Sequence, residues 1–473
     1  MPIKFGTDGW RAIIGDEFSF DNVRLCAQGI SNYLLITEDI PDPVIIGYDT
    51  RFGSERFAQA IAEVLYGNGI PVILCDGPAP TPVVSYNLIY RECSSGIVVT
   101  ASHNPMEWNG IKFKPGYGGS ASPEIVSQIE DEISKLKSEV DIIQGSLTKA
   151  VQEGMIEVYD PDPPYLNHIA GKIDLKEIRN AGINVVVDSM HGAGAGYLSQ
   201  LLSGGTTKIF EIRDEVNPSF PNMTQPEPID DNLAPLKNAI QDHNADVGIA
   251  MDGDADRLGL VDEYSEYIST LHAFALITLH TLENLNQEGP IVKSITMTSM
   301  IDTLARKHNL PVFETPVGFK YLGQVMMEED AILAGEESGG YGFKGHIPER
   351  DGILSGLMIL DMMTKTGKNP SELISDLESE VGPHHYDRQD IELAQLNRAQ
   401  IEETLKTKKP RSIANLSVTE VDERDGFKYF LEDGSWCLIR FSGTEPLIRL
   451  YAESNTRDQV ELLIKNCRLI LGI

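Results

Sequence analysis

In SGIVVTASHNP (95–105), a short run rich in Val and Ile ends abruptly in small and polar residues. Such a run is typical of a parallel strand that is buried on both faces. The same order of strand and polar turn recurs in VIIGYDTR (44–51) and in INVVVDSMHGAGAGYL (183–198), and helical periodicity follows each of them. The sequence therefore predicts an α/β architecture with polar residues at the ends of buried strands.

The chain of 473 residues is longer than one hydrophobic core usually covers. The pattern changes near residues 148–160, again after ADVGIAMDGDADRLGLVD (245–262), and once more near 378, where the sequence becomes more charged. We predict three related α/β domains with mixed sheets, followed by a C-terminal α+β domain. The predicted boundaries are 1–150, 151–264, 265–377 and 378–473.

The composition restricts the partners of the protein. Lys and Arg number 39 against 71 Asp and Glu, which gives a formal charge of −32. A field of this sign repels nucleic acid and anionic membranes, so we expect neither as a partner. The five cysteines show no zinc or redox spacing, and the sequence has neither a signal-peptide pattern nor an apolar run long enough to span a membrane. We expect a cytoplasmic protein whose phosphate sites, if any, depend on local clusters of Arg and Lys.

The first candidate site is TASHNP (100–105), which lies at a strand end, where ligands bind in open α/β sheets. Ser102 is followed directly by His103, and Lys112 comes soon after. A serine hydroxyl is a weak nucleophile unless a base or a metal assists it. No GxSxG surrounds Ser102, so the pattern does not fit an α/β-hydrolase. The segment indicates either an assisted nucleophile or a polar turn.

Three carboxylates follow another apolar run in DGDADR (252–257), namely those of Asp252, Asp254 and Asp256. Such charges repel one another unless a cation joins them, and oxygen ligands suit Mg²⁺ or Ca²⁺. Arg257 stands where an EF-hand loop requires glycine, which excludes that calcium site. The motif predicts a Mg²⁺ site completed by a phosphate oxygen, with a solvated acidic turn as the alternative.

Three further segments carry polar groups that suit a sugar phosphate. RFSGTEP (440–446) and the nearby Arg449 offer two guanidinium groups and two hydroxyls, a set that suits a phosphate dianion. GEESGG (335–340) would hydrogen-bond sugar hydroxyls, although taken alone it is better explained as a surface loop. FGTDGWR (5–11) and KGHIPERDG (344–352) contain basic residues that would reach a phosphate or belong to ordinary turns.

Together and in this order, these motifs resemble those of the α-D-phosphohexomutase superfamily, the phosphoglucomutases and phosphomannomutases. FGTDGWR, TASHNP, DGDADR, GEESGG and RFSGTEP span nearly the whole chain. The resemblance implies four domains around a central cleft. It also implies a Mg²⁺-dependent intramolecular phosphotransferase that acts on hexose phosphates as a monomer or a homodimer.

The resemblance also implies roles for individual residues. Ser102 would carry the phosphoryl group, and one of its phosphate oxygens would join the three aspartates around Mg²⁺. Lys112 would be the general base. The other groups implied around the transferred phosphoryl are Arg11, His103 and Arg257. The implied substrate contacts are Glu336 and Ser338 for sugar hydroxyls, Gly318 and Lys320 in a second sugar-facing loop, and Arg440, Ser442, Gly443, Thr444 and Arg449 for the phosphate that is not transferred.

Two positions depart from the family pattern. Many dual-specificity phosphomannomutase/phosphoglucomutases have the motif GEMSGH. The final histidine of that motif corresponds to Gly340 in this chain. We expect His346 to take the role of that histidine. Animal phosphoglucomutases have a lysine where this chain has Arg350, and an arginine is a poor base. We therefore expect Arg350 to bind phosphate.

The preferred hexose is suggested by two segments. GEES and ETPVGFKYLG (314–323) resemble glucose-directed members. The resemblance therefore implies interconversion of glucose 1-phosphate and glucose 6-phosphate through a phosphoserine and glucose 1,6-bisphosphate, which would also act as an activator. Mannose-directed and glucosamine-directed mutases remain alternatives, as do a sugar-phosphate phosphatase and a non-enzymatic sensor.

Overall fold

The computed structural model describes residues 3–6, 8–37, 42–136, 141–392, 398–407, 409–442 and 447–472. Within these ranges the strands form four sheets. The first three sheets are mixed and the fourth is antiparallel. The predicted fold class, three α/β domains and a C-terminal α+β domain, is confirmed.

The first sheet has the strand order β1-β5-β4-β2-β3-β6. Its elements are β1 Trp10–Ile13, α1 Phe20–Thr37, β2 Val44–Tyr48, α2 Ser54–Gly67, β3 Val72–Cys75, α3 Thr81–Tyr90, β4 Ser95–Val99, β5 Trp108–Pro115, α4 Pro123–Lys135, α5 Leu147–Gln152 and β6 Ile156–Tyr159. Alternate residues of β2 face two cores, because Val44 and Ile46 pack with α1 and α2, while Ile45 packs on the opposite side. The sheet extends past residue 150, since β6 pairs with β3.

The second sheet has the order β11-β10-β9-β7-β8. Its elements are α6 Asp162–Ala170, α7 Leu175–Asn180, β7 Asn184–Asp188, α8 Tyr197–Leu202, β8 Lys208–Ile212, α9 Ala234–His243, β9 Val247–Met251, β10 Leu258–Asp262 and β11 Tyr267–Ile268. Strands β9 and β10 are fully buried and antiparallel. The acidic motif therefore lies in the turn that joins two core strands.

The third sheet has the order β13-β12-β14-β15. Its elements are α10 Thr270–Leu279, β12 Ile291–Ser294, α11 Met300–Lys307, β13 Val312–Thr315, α12 Phe319–Glu328, β14 Leu333–Gly335, β15 Tyr341–Phe343, α13 Gly352–Thr366 and α14 Pro370–Val381. Helix α13 is buried along most of its length and packs in the same core as side chains of the second sheet. Asp351 caps its first turn by accepting from the backbone N–H of Leu354 at 2.8 Å.

The fourth sheet has the order β16-β21-β20-β19-β18-β17. Its elements are β16 His385–Glu392, α15 Arg398–Thr407, β17 Ser412–Ile413, β18 Leu416–Asp422, β19 Phe427–Leu431, β20 Trp436–Phe441, β21 Leu447–Ser454 and α16 Arg457–Leu471. This sheet has its own core on one face. On the other face, Trp436 and Tyr451 pack against Ile295 of the third domain. In the described part of the chain, no helix is long and apolar enough to cross a membrane.

The first two domains approach each other closely where the loop after β4 meets the turn after β9. Gly253 lies in that turn, and a Cβ atom at its position would stand 2.6 Å from the carbonyl oxygen of Ser102. In the same region the backbone N–H of Thr81 donates to the carbonyl oxygen of Asp254 at 3.0 Å. The contact between the two loops is therefore made largely by backbone atoms. An atom added at this contact would require the backbone to shift.

We predict that Gly253→Ala lowers the free energy of unfolding by about 1–3 kcal/mol, because the added methyl group overlaps backbone rather than a flexible side chain. Gly77→Ala is the matched control, since nothing lies within 4 Å of a Cβ atom at that position. The control should change stability by at most about 1 kcal/mol. Denaturant midpoints of both variants and of the wild-type protein measure the effect, and equal midpoints for the two variants would contradict the close approach.

Candidate active site

Ser102 occupies the position that the strand-end rule predicts, directly beyond β4. It is 1% exposed, and its φ of 51° lies in the left-handed region. Its hydroxyl donates to Oδ2 of Asp252 at 2.8 Å, and its backbone N–H donates to the hydroxyl of Thr100. A non-glycine residue in this conformation is held there by its surroundings. The loop therefore presents the Ser102 hydroxyl to the acidic turn of the second domain.

Arg51, which was not among the predicted site residues, holds this loop in place. Its guanidinium group donates to four backbone carbonyl oxygens at 2.5–3.1 Å. These oxygens belong to Ser102, Asn104, Pro105 and Trp108. Asp49 lies 3.1 Å from Nε of Arg51, and both side chains are fully buried. The segment VIIGYDTR could have indicated Arg51, because Arg51 follows the end of a strand just as Ser102 does.

The three aspartates of the acidic turn are fully buried, and one oxygen from each lies within 4.8 Å of the others. Oδ1 of Asp254 and Oδ1 of Asp256 have no hydrogen-bond partner among the described residues. Burial and the two neighbouring carboxylates raise the pKa of Asp252 well above its ordinary value. Buried carboxylate oxygens without partners are suitable ligands for a hard cation, so this site fits Mg²⁺.

Lys112 projects from β5 into the same cluster. Its ammonium group lies 2.8 Å from Asp8, 2.8 Å from Asp254 and 3.0 Å from Asp256. Burial lowers the pKa of Lys112, but the three carboxylates outweigh burial and the net shift is upward. The carboxylates that raise the pKa of Lys112 oppose the loss of its proton, which the role of general base requires. Asp8 belongs to the FGTDGWR motif but was not among the predicted site residues.

His103 and Arg11 also have contacts with the Ser102 loop. Nδ1 of His103 is 3.4 Å from the Ser102 hydroxyl. Burial and nearby guanidinium groups, that of Arg257 foremost, lower the pKa of His103 well below its ordinary value. Arg11, on β1, donates to the side chain of Asn104 at 2.7 Å. His103 follows Ser102 in the loop, and Arg11 contacts the same loop through Asn104.

Two more arginines reach the acidic turn. Arg257 donates to Glu227 at 2.7 Å, and its Nε lies 4.0 Å from carboxylate oxygens of Asp252 and Asp256. Arg350 comes from the third domain and contacts carboxylates from all three α/β domains. They are Asp8 at 2.7 Å, Asp256 at 2.8 Å, Glu349 at 3.3 Å and Glu336 at 3.6 Å. The structure therefore brings Arg350 to the centre of the candidate site.

His346 contacts two polar side chains through its ring nitrogens. Its side chain is fully buried, and its ring nitrogens lie 2.8 Å from Asp351 and 2.9 Å from His168. A histidine whose two ring nitrogens are both engaged has none left for a sugar hydroxyl. At Gly340, by contrast, a Cβ atom would stand 2.1 Å from Cδ of Arg350. The space beside Gly340 is therefore filled by Arg350, whereas the ring nitrogens of His346 are engaged by Asp351 and His168.

The GEESGG segment and the loop after β13 are joined by a hydrogen bond. Glu336 accepts from the backbone N–H of Gly318 at 2.8 Å, and the φ of Gly318, 126°, is one that favours glycine. The Ser338 hydroxyl is buried and has no partner among the described residues. Lys320 lies in the first turn of α12, and burial lowers its pKa. Glu336 is linked to the acidic turn by Arg350, which lies 3.6 Å from Glu336 and 2.8 Å from Asp256.

In the C-terminal domain, Arg440 and Arg449 lie directly opposite each other on β20 and β21. Like charges in this position destabilise a sheet unless an anion compensates them. Asp425 binds Nε of Arg440 at 2.8 Å, and Asp390 lies 3.5 Å from Nε of Arg449. Ser442 follows β20 and is 3% exposed. The predicted residues Gly443 and Thr444 lie outside the described residues.

The arrangement combines a buried serine hydroxyl, a trio of carboxylates and several cations. Such a set suits phosphoryl transfer, which depends on positioning and charge neutralisation rather than on acid–base groups alone. The paired arginines of the fourth sheet provide a second region that suits a phosphate group.

Comparison with known proteins identifies four family models along the chain. They are phosphoglucomutase/phosphomannomutase alpha/beta/alpha domain I over residues 2–140, domain II over 163–265, domain III over 271–381, and the C-terminal domain over 396–468. These four regions are called domains I to IV below.

Relatives match over nearly the full length. A phosphoglucomutase/phosphomannomutase of Thermococcus kodakarensis is 31% identical over 98% of both chains, and a phosphoglucosamine mutase of Acetivibrio thermocellus is 29% identical over 98% of this chain and 97% of its own. A solved structure described as a putative phosphomannomutase from Thermus thermophilus is 31% identical, with a TM-score of 0.86 over all of both chains. These matches confirm the resemblance read from the motifs, and the chain belongs to the phosphoglucomutase/phosphomannomutase family of phosphohexomutases.

Proposed function

We propose that this phosphohexomutase is a phosphoglucomutase, which interconverts glucose 1-phosphate and glucose 6-phosphate through phosphorylated Ser102 and glucose 1,6-bisphosphate. The observation that carries the proposal is the contact of the Ser102 hydroxyl with Asp252, 2.8 Å long, beside two buried carboxylate oxygens without partners. A nucleophile, a candidate cation site and a compensating lysine therefore meet at one point.

The transfer itself is a simple exchange. The free hydroxyl oxygen of the sugar phosphate attacks phosphorus, the bond from Ser102 Oγ to phosphorus breaks, and the hydroxyl proton ends on Ser102 Oγ. Lys112 and Arg350 balance the charge of the moving phosphoryl group. Mg²⁺, held by Asp252, Asp254 and Asp256, would polarise the phosphoryl oxygens. The bisphosphate then turns over and returns its other phosphate to Ser102.

Binding of the sugar depends on groups from domains III and IV. The buried Ser338 hydroxyl and the Glu336 carboxylate are available to sugar hydroxyls, and burial raises the pKa of Glu336. Arg440, Ser442 and Arg449 would hold the phosphate that is not transferred. The preference for glucose is supported by the GEES and ETPVGFKYLG segments.

The first experiment compares glucose 1-phosphate, mannose 1-phosphate and glucosamine 1-phosphate in coupled assays with Mg²⁺ and a trace of the matching bisphosphate. We expect turnover to be fastest with glucose 1-phosphate and to disappear in Ser102→Ala, because only the wild-type protein has the acceptor oxygen. Faster turnover of another sugar would overturn the glucose preference. Sustained phosphate release without isomerisation would indicate a phosphatase, and no turnover at all would favour a sensor.

We predict that Asp254→Asn weakens Mg²⁺ binding by about 10–100-fold or more and lowers turnover, since it removes negative charge from a buried ligand set. Mg²⁺ affinity is measured by calorimetry, and activity is measured as a function of Mg²⁺ concentration. Asp231→Asn is the matched control, because this aspartate is exposed in the same domain. Equal Mg²⁺ affinities of the two variants would contradict the ligand assignment.

We predict that Gly340→Ala lowers kcat/KM by roughly tenfold or more, since the new Cβ atom displaces Arg350 and a small misplacement at a reacting centre is costly. Arg350→Ala should show a similar loss. Residues that act as one unit give non-additive effects, so the double variant should lose little more than either single one. Losses that multiply in the double variant would show that Gly340 does not act through Arg350.

A further inference from the structure

Asp425 connects two parts of the candidate site that belong to different domains. It lies in the turn between β18 and β19 of domain IV. Its Oδ2 atom accepts from Nε of Arg440 at 2.8 Å and from the backbone N–H of Val317 at 2.9 Å. Val317 precedes Gly318 in the loop after β13 of domain III. One carboxylate oxygen therefore binds the arginine proposed for the distal phosphate and the loop proposed for the sugar.

The loop is held from two sides at adjacent amides. The N–H of Val317 binds Asp425, and the N–H of Gly318 binds Glu336 at 2.8 Å. Gly318 also has a backbone conformation that favours glycine, with φ at 126°. A loop fixed at successive amides has little freedom to adjust on one side alone. A displacement of Asp425 would therefore move the anchor of Glu336 as well.

Contacts of Lys428 and Val317 also join domains III and IV. The ammonium group of Lys428, 1% exposed, donates to the carbonyl oxygen of Ile295 at 2.8 Å and to Glu314 at 2.9 Å. The Val317 side chain packs against the apolar cluster that contains Trp436. These contacts hold the two domains together beside the loop, whereas the two hydrogen bonds of Asp425 join the loop directly to Arg440.

We propose that Asp425 is a positioning residue that couples phosphate binding at Arg440 to alignment of the sugar loop at Val317 and Gly318. This inference rests on the proposed function, because it takes those two regions to be the distal-phosphate and sugar sites. A carboxylate beside a dianion opposes phosphate binding through like-charge repulsion. Its contribution is therefore to the geometry between the two regions rather than to phosphate affinity.

The test compares the binding of glucose 1-phosphate and of inorganic phosphate by calorimetry in wild-type, Asp425→Ala and Asp425→Asn proteins. Asp425→Ala should weaken glucose 1-phosphate binding by about tenfold or more, since small misplacements of binding groups are costly, and should affect inorganic phosphate much less. Asp425→Asn retains an acceptor oxygen and should recover most of the lost affinity. Equal losses for both ligands would mean that Asp425 merely supports Arg440 and would overturn the coupling.

Kinetics supply the second readout. Asp425→Ala should lower kcat/KM for the hexose phosphate, and the loss should not add to that of Arg440→Ala, because the two residues act together. Asp433→Asn is the control, since that turn aspartate of the same domain contacts the backbone N–H of Ser435. Additive losses would overturn the inference. A wild-type protein without mutase turnover would refute the proposed function, while the binding comparison would still decide the coupling.

Discussion

The arrangement of domains I to III depends on the compensation of buried carboxylates by buried cations. Asp254 and Asp256 project from a turn between two core strands and meet Lys112 of domain I and Arg350 of domain III. Removing one member of a buried ion pair leaves an uncompensated charge that costs about 3–5 kcal/mol. Asp254 and Asp256 therefore need their partners Lys112 and Arg350, which the two neighbouring domains supply. Domain packing and candidate active-site geometry are thus maintained by the same contacts.

This compensation also explains how a protein of charge −32 can form a site for anions. The cations around Ser102 are few, but they are buried, and interactions in a buried site are screened much less by water and salt than those on the surface. Arg257 is held by Glu227 and Lys112 by Asp8, in both cases a carboxylate from another segment. The overall charge therefore acts at long range, while the local field near Ser102 is set by the residues in contact with it.

Sequence patterns predicted the fold and the centre of the site for a physical reason. The loops after β4 and β9 leave core strands and carry Ser102 and the three aspartates. Loops of this kind at the carboxyl ends of strands form the ligand crevice of α/β folds. Arg51, Asp8 and Asp425 escaped prediction because their roles depend on contacts across long sequence separations. Arg350 fills the space beside Gly340 because Gly340 lacks a Cβ atom, and only the packing shows this.

The contacts divide the site into two halves with different mechanical properties. Around Ser102 the ion pairs are buried and link three domains, so the half proposed for phosphoryl transfer is rigid. Domain IV is joined to the sugar loop through Asp425, whose side chain is 21% exposed, and Arg424 binds the carbonyl oxygen of Glu314 at the surface. The proposed reaction requires this division. The phosphorus must be attacked from one fixed direction in both half-reactions, whereas the sugar must be accepted in two orientations. A fixed transfer centre meets the first requirement. For the second, the boundary of domains III and IV combines buried contacts of Lys428 with partly exposed contacts of Asp425 and Arg424.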